Sequence, residues 1–268
     1  MDENYFISVV VAALWSAGVL LYAIKSGFFK MPNELNVLEF PMSTSSVLFA
    51  FLIFMGTQVS IGSLFPKYAW KDPVAIISSG LALWIYLDLF PKIKSAVWRT
   101  KTYISMYHAL LNFGFGVMAW FVCYPIVMLL NQLITVGIIL LFDKPPSDQL
   151  AVELMKGYLD NPYQFWMMAT LIVFVVPVIE EMLFRGFLQT RLNRSLGIEN
   201  SIIFTSIIFS LFHFTAGQGV HNIGIISALF LLSCFLGFIY ERQNSLLAPI
   251  GLHCSFNAFT VLLIFHDL

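Results

Sequence analysis

The 268 residues are 59% hydrophobic and only 11% charged, with a formal net charge of −1. A soluble domain carries about 25% charged residues, so the composition excludes an ordinary soluble enzyme, and without a basic cluster there is no surface for nucleic acid. The three cysteines, Cys123, Cys234 and Cys254, lie in apolar runs without Cys-x-x-Cys spacing and read as packing residues, not as a disulfide or metal framework.

Taken in order, the chain offers eight apolar runs, at 5–24, 45–64, 73–90, 106–124 with an extension toward 142, 165–184, 199–214, 223–240 and 246–265. Each is near the length of about 20 residues that crosses a bilayer. Backbone polar groups must be satisfied internally there, so the runs are helices. The expected fold is an all-α polytopic membrane bundle of about eight transmembrane helices, one membrane domain over 1–268. Its N-terminal helices occupy 1–142 and its chemistry-bearing helices 165–260. The start, Met1-Asp2-Glu3, lacks the positive n-region of a secretory signal, so the first run reads as a retained helix. Pro125 interrupts the fourth run and predicts a kink or a separate short helix after it.

With the N-terminus outside, the inside segments 25–44, 91–105, 185–198 and 241–245 hold 10 of the 14 basic residues, among them Arg185, Arg191 and Arg194. The positive-inside rule then places both termini outside. An integral protein of the plasma (inner) membrane is expected, with any site on the fifth helix reached from the cytoplasmic side.

Chemistry gathers in the last four runs. Glu180-Glu181 ends a long apolar stretch, where a charge at mid-bilayer costs about 2.5–3.5 kcal/mol on insertion scales and marks a functional suspect. Glu181 and Arg185 stand at i and i+4 in the favourable order and are read as a pair, leaving Glu180 free to act as a general base. A short turn near Leu196-Gly197 joins the fifth and sixth helices. Glu180 precedes that turn and His213 follows it by nearly equal lengths, so both fall at one depth, about 20–25 Å along each arm. His253 and Asn257 share a face of the last helix at i and i+4, at a shallower level on a naive count. A lone histidine on an apolar face is usually a satisfied core residue. Two of them beside an aligned glutamate and an asparagine argue for a site. His108, His221 and His266 have no partner at helical spacing and keep the bland reading.

The motifs Glu180-Glu181-x-x-x-Arg185, Phe209-x-x-x-His213 and His253-x-x-x-Asn257, in that order, resemble those of the CPBP family, which includes the CAAX proteases and bacteriocin-processing enzymes. The resemblance covers about residues 165–260. It implies an intramembrane glutamate-dependent endopeptidase acting on a membrane-associated protein or peptide in contact with lipid. It also implies that Glu180 and His213 activate water, that His253 and Asn257 bind the oxyanion, and that Glu181, Arg185 and Phe209 support them. Eukaryotic members trim prenylated CAAX proteins, and that substrate does not transfer with the motifs.

Other readings compete. Glu180, His213 and His253 number enough ligands for zinc, but no His-Glu-x-x-His pair occurs and Asn257 is a poor zinc ligand, so no cofactor is expected. No Gly-x-Ser-x-Gly elbow supports a serine protease. A transporter would show broken helices or repeated halves, and no halves match. A non-catalytic scaffold would tolerate loss of Glu180.

Overall fold

The computed structural model describes residues 3–31, 42–66, 68, 70–99, 105–144 and 148–266, with side chains from residue 7 onward. Among these the chain is all helix, a polytopic bundle. The helices are α1 (Glu3–Lys25), α2 (Thr44–Leu64), α3 (Lys71–Leu89), α4 (Pro91–Trp98), α5 (Met106–Phe142), α6 (Leu150–Lys156), α7 (Pro162–Leu196), α8 (Ile198–Leu211), α9 (Asn222–Gln243) and α10 (Leu247–His266). Seven of them (α1, α2, α3, α5, α7 and α10, with α9 extended back to Ala216) are long and apolar enough to cross a membrane.

Three expectations change. The extension of the fourth run toward 142 is not a separate short helix: α5 runs 37 residues with Pro125 inside it, about 55 Å at helical rise. The Pro125 carbonyl instead accepts a hydrogen bond from Ser16 Oγ of α1 at 2.7 Å. The sixth run is not a full span, because α8 stops after 14 residues at Leu211, about 21 Å. Beyond it the chain turns through residues 212–215 into a 3₁₀ segment, Ala216–His221, in which Gly219 adopts φ +49°. Non-helical backbone inside a membrane protein needs partners from the protein itself, and Asn222 supplies them. Its Nδ2 donates to Thr215 O at 2.8 Å and Gly219 O at 3.1 Å, while its Oδ1 accepts from Thr215 N at 3.1 Å. Third, α7 is not uniform. It contains two π-helical stretches, Leu171–Val175 and Met182–Gln189, on either side of the six residues Val176–Glu181. Such i→i+5 stretches often occur at functional sites, and neither was legible in an even apolar run.

Two ends of the bundle can be told apart. At one, Arg191 Nε donates to Thr44 Oγ1 (3.1 Å), Arg242 Nε donates to Lys30 O (3.2 Å), and Arg99 Nη2 pairs with Glu241 Oε1 (2.8 Å). This basic end gathers the loops expected together on charge, although Lys101 lies outside the described residues. At the other end lies α6, with Tyr158 Oη donating to Asp72 Oδ2 at 3.4 Å and Gln218 Nε2 to Asp148 O at 2.7 Å. The many exposed apolar side chains of α1, α2 and α5, such as Leu14, Leu52 and Leu140, face outward as lipid contacts require.

The last helix is pressed onto α5 through glycine. A Cβ added at Gly116 would collide with the Ala248 carbonyl oxygen, and one at Gly251 with the Phe113 carbonyl oxygen. Small residues let membrane helices approach this closely. The close contact carries His253 and Asn257, on the same helix, to where they meet α7.

Candidate active site

Glu181 is fully buried and is the centre of a charged cluster. Its Oε1 accepts from Arg185 Nη1 at 3.0 Å and from His253 Nδ1 at 2.8 Å. The pairing read from the i, i+4 spacing is therefore present, but it is shared. Arg185 is also fully buried. Its Nη2 donates to Ser233 Oγ at 2.7 Å and Ser233 O at 3.1 Å on α9, and its guanidinium lies 4.8 Å from the Phe209 ring. Arg185 thus does not project toward water at the basic end, as its place among the loop cations suggested. A buried guanidinium needs partners on several sides, and Ser233, 48 residues along the chain, could not be paired with it from spacing.

Glu180 differs from its neighbour. Its side chain is 19% exposed against 0% for Glu181, and it faces a cavity of about 360 Å³ that His213, His253 and Asn257 also line. The four residues that the motifs single out are therefore gathered around one space. His253 Nε2 lies 3.7 Å from Glu180 Oε2, so this imidazole stands between the two glutamates. The shallower level counted for His253 along α10 does not keep it away.

Each histidine has one nitrogen committed. His213, two residues beyond the end of α8, has Nδ1 2.9 Å from the Phe209 carbonyl oxygen. A carbonyl can only accept, so Nδ1 carries the proton, and in the neutral ring Nε2 is an acceptor. His253 Nδ1 likewise donates to the Glu181 carboxylate. Asn257 uses Nδ2 to donate to Ile172 O at 2.8 Å, a carbonyl within the first π stretch of α7. Its amide keeps a second N–H and a carbonyl oxygen.

Phe209 does more than mark a motif. It is fully buried, lies against both histidines with ring centroids 4.9 Å from His213 (tilted) and 6.1 Å from His253 (edge-on), and covers Arg185. The N-terminal helices also reach the cavity through Gln58 and Asp72. Gln58 bonds Ser79 between α2 and α3 at 3.3 Å, and nothing in its spacing set it apart. Among the described residues no three of His, Cys, Asp or Glu are grouped as a metal cage.

The cavity does not run toward the basic end. Its walls continue from Glu180 past Ile172, Thr260 and Ile264 to Asp72, Gln149 and α6. Toward the basic end Arg185, Phe187 and Tyr240 are fully buried and close the core.

Residues 162–259 match the family model described as Type II CAAX prenyl endopeptidase Rce1-like. The matched segment contains all three motifs and is consistent with the CPBP/CAAX protease family. Neither a curated protein nor a solved structure matches the chain.

Proposed function

We propose, from the match of residues 162–259 to the family model described as Type II CAAX prenyl endopeptidase Rce1-like, that this integral membrane protein of the plasma (inner) membrane is a glutamate-dependent endopeptidase. That match supports a protease of the CAAX type in general. The division of labour proposed here rests on one observation: Glu180 faces the cavity while Glu181 beside it is sealed in the core.

Glu180, with His213 Nε2, takes a proton from a water in the cavity. The hydroxide attacks the scissile carbonyl carbon and gives a tetrahedral oxyanion. His253 and Asn257 donate to that oxyanion. Nδ1–H of His253 is occupied by Glu181, so donation from Nε2 requires the imidazolium. Two carboxylates lie against the ring, Glu181 at Nδ1 and Glu180 with Oε2 3.7 Å from Nε2. Collapse of the intermediate breaks the C–N bond, and the proton held by Glu180 passes to the leaving amine. Preorganised donors in a site with little water do most of the work of lowering such a barrier. The substrate is a membrane-associated protein or peptide.

Comparison of membrane proteomes from wild-type and Glu180→Ala cells tests this reading. Fragments of one or more membrane proteins are expected in the first and missing in the second. Identical fragment sets overturn the protease reading.

No metal takes part in this mechanism. Enzyme stripped with a strong chelator is expected to keep its turnover. Loss of turnover that stoichiometric zinc restores would make Glu180, His213 and His253 ligands instead.

A further inference from the structure

Three hydrogen bonds set α7 and α9 in parallel register. Arg185 Nη2 donates to Ser233 Oγ (2.7 Å), Gln189 Nε2 to Gly237 O (3.1 Å) and Asn193 Nδ2 to Glu241 Oε2 (3.2 Å), each pair 48 residues apart. On this register Glu180 is level with Ala228. That residue lies about 9 Å along α9 from Asn222, at the α6 end, and about 22 Å from Gln243, at the basic end. Along α7 itself Glu180 stands near the middle, 18 residues from Pro162 and 16 from Leu196.

What lies on either side of Glu180 differs. Toward the basic end, Arg185, Phe187, Leu236, Tyr240 and Leu246 are all 0% exposed and fill the bundle. Below them Glu241 binds Arg99, Gln189 and Asn193, which ties α4, α7 and α9 together. Toward the α6 end the cavity continues to Gln149 and Ala151, and Ala151 is exposed at the surface.

We infer that the site takes its substrate from the α6 end of the bundle, opposite the basic end. This rests on the proteolytic reading above. Among the described residues the basic end holds Lys25, Lys30, Lys92, Lys94, Arg99, Arg191, Arg194 and Arg242, against Lys71, Lys144 and Lys156 at the α6 end. On the positive-inside rule the α6 end is then the non-cytoplasmic face. The substrate is a membrane-anchored polypeptide whose scissile bond reaches Glu180 from that face. Its apolar flank meets Ile172, Val176 and Val261 in the cavity, and polar residues meet Asp72 and Gln149 near α6. A chain terminus held at the basic face would have to pass through closed core to reach Glu180.

Thiol labelling in sealed membrane vesicles of both orientations tests this without requiring turnover. The background carries Cys123→Ala, Cys234→Ala and Cys254→Ala. Glu153→Cys, exposed on α6, and Glu199→Cys, exposed at the basic end, report which face is outward. Val176→Cys and Thr260→Cys report the cavity from two different helices, and a melting temperature for each confirms that it folds. With a membrane-impermeant thiosulfonate, both cavity cysteines are expected to react at least tenfold faster in the vesicles where Glu153→Cys reacts. Those are expected to be the right-side-out ones. Reaction alongside Glu199→Cys, equal reaction from both faces, or no reaction while both controls react would each overturn the inference. If the labelling holds but the proteome comparison shows no lost fragments, the access route stands and the protease reading falls.

Discussion

Glu180→Gln is expected to lower turnover by about 10²–10⁴-fold, the usual worth of general acid–base catalysis, and to leave the melting temperature nearly unchanged. The amide keeps the size of the side chain and some of its hydrogen bonding but cannot take a proton from water. Glu180 lies 3.7 Å from His253 Nε2, beyond hydrogen-bond distance, and it faces the cavity. Its replacement therefore strands no buried partner. Cleavage rate and thermal unfolding in detergent, measured on the same preparation, separate the two effects. Wild-type turnover in Glu180→Gln, with a stable and inactive Glu181→Gln, would assign the base to the other carboxylate.

Glu181→Gln and Arg185→Gln are expected to fail first as folded proteins. Both side chains are 0% exposed and bonded to each other at 3.0 Å. Removing one member of a buried ion pair typically costs about 3–5 kcal/mol because the other charge is left uncompensated, a loss in melting temperature on the order of 10 °C. The double substitution removes both charges and should cost less than the two single changes added together. The shared geometry adds a second expectation. Arg185→Gln leaves the Glu181–His253 hydrogen bond in place, while Glu181→Gln removes the carboxylate to which His253 Nδ1 donates. Below both melting temperatures, Arg185→Gln should therefore retain more turnover than Glu181→Gln. Equal turnover in the two would mean that Glu181 acts only as a counter-ion to Arg185 and does not position His253.

The sequence by itself determined much of this protein, because membrane constraints act on local patterns. Long apolar runs have to become helices, since no water is present to satisfy a bare backbone, and the runs did become helices. The glutamate pair, the two histidines and Asn257 were singled out as polar groups in segments where polarity is costly. The i, i+4 spacing of Glu181 and Arg185 carried their pairing, a contact within one helix whose geometry is local. Other features depended on how helices meet and had no local signature. The π stretches around Glu180-Glu181 have no signature in the apolar run, and a carbonyl in the first of them, Ile172 O, accepts from Asn257 of α10. α8 ends at Leu211 because Asn222 of the next helix satisfies the turn beyond it. Glu181 is shared with His253 only because Gly116 and Gly251 let α10 press against α5. The direction in which the cavity runs was the furthest from reach. Counting basic residues treats Arg185 as a loop cation, but Ser233 and Phe209 hold it in the core. Which end of a helical bundle is packed and which is hollow depends on side chains from α2, α6, α7, α9 and α10 together, and no single segment carries that information.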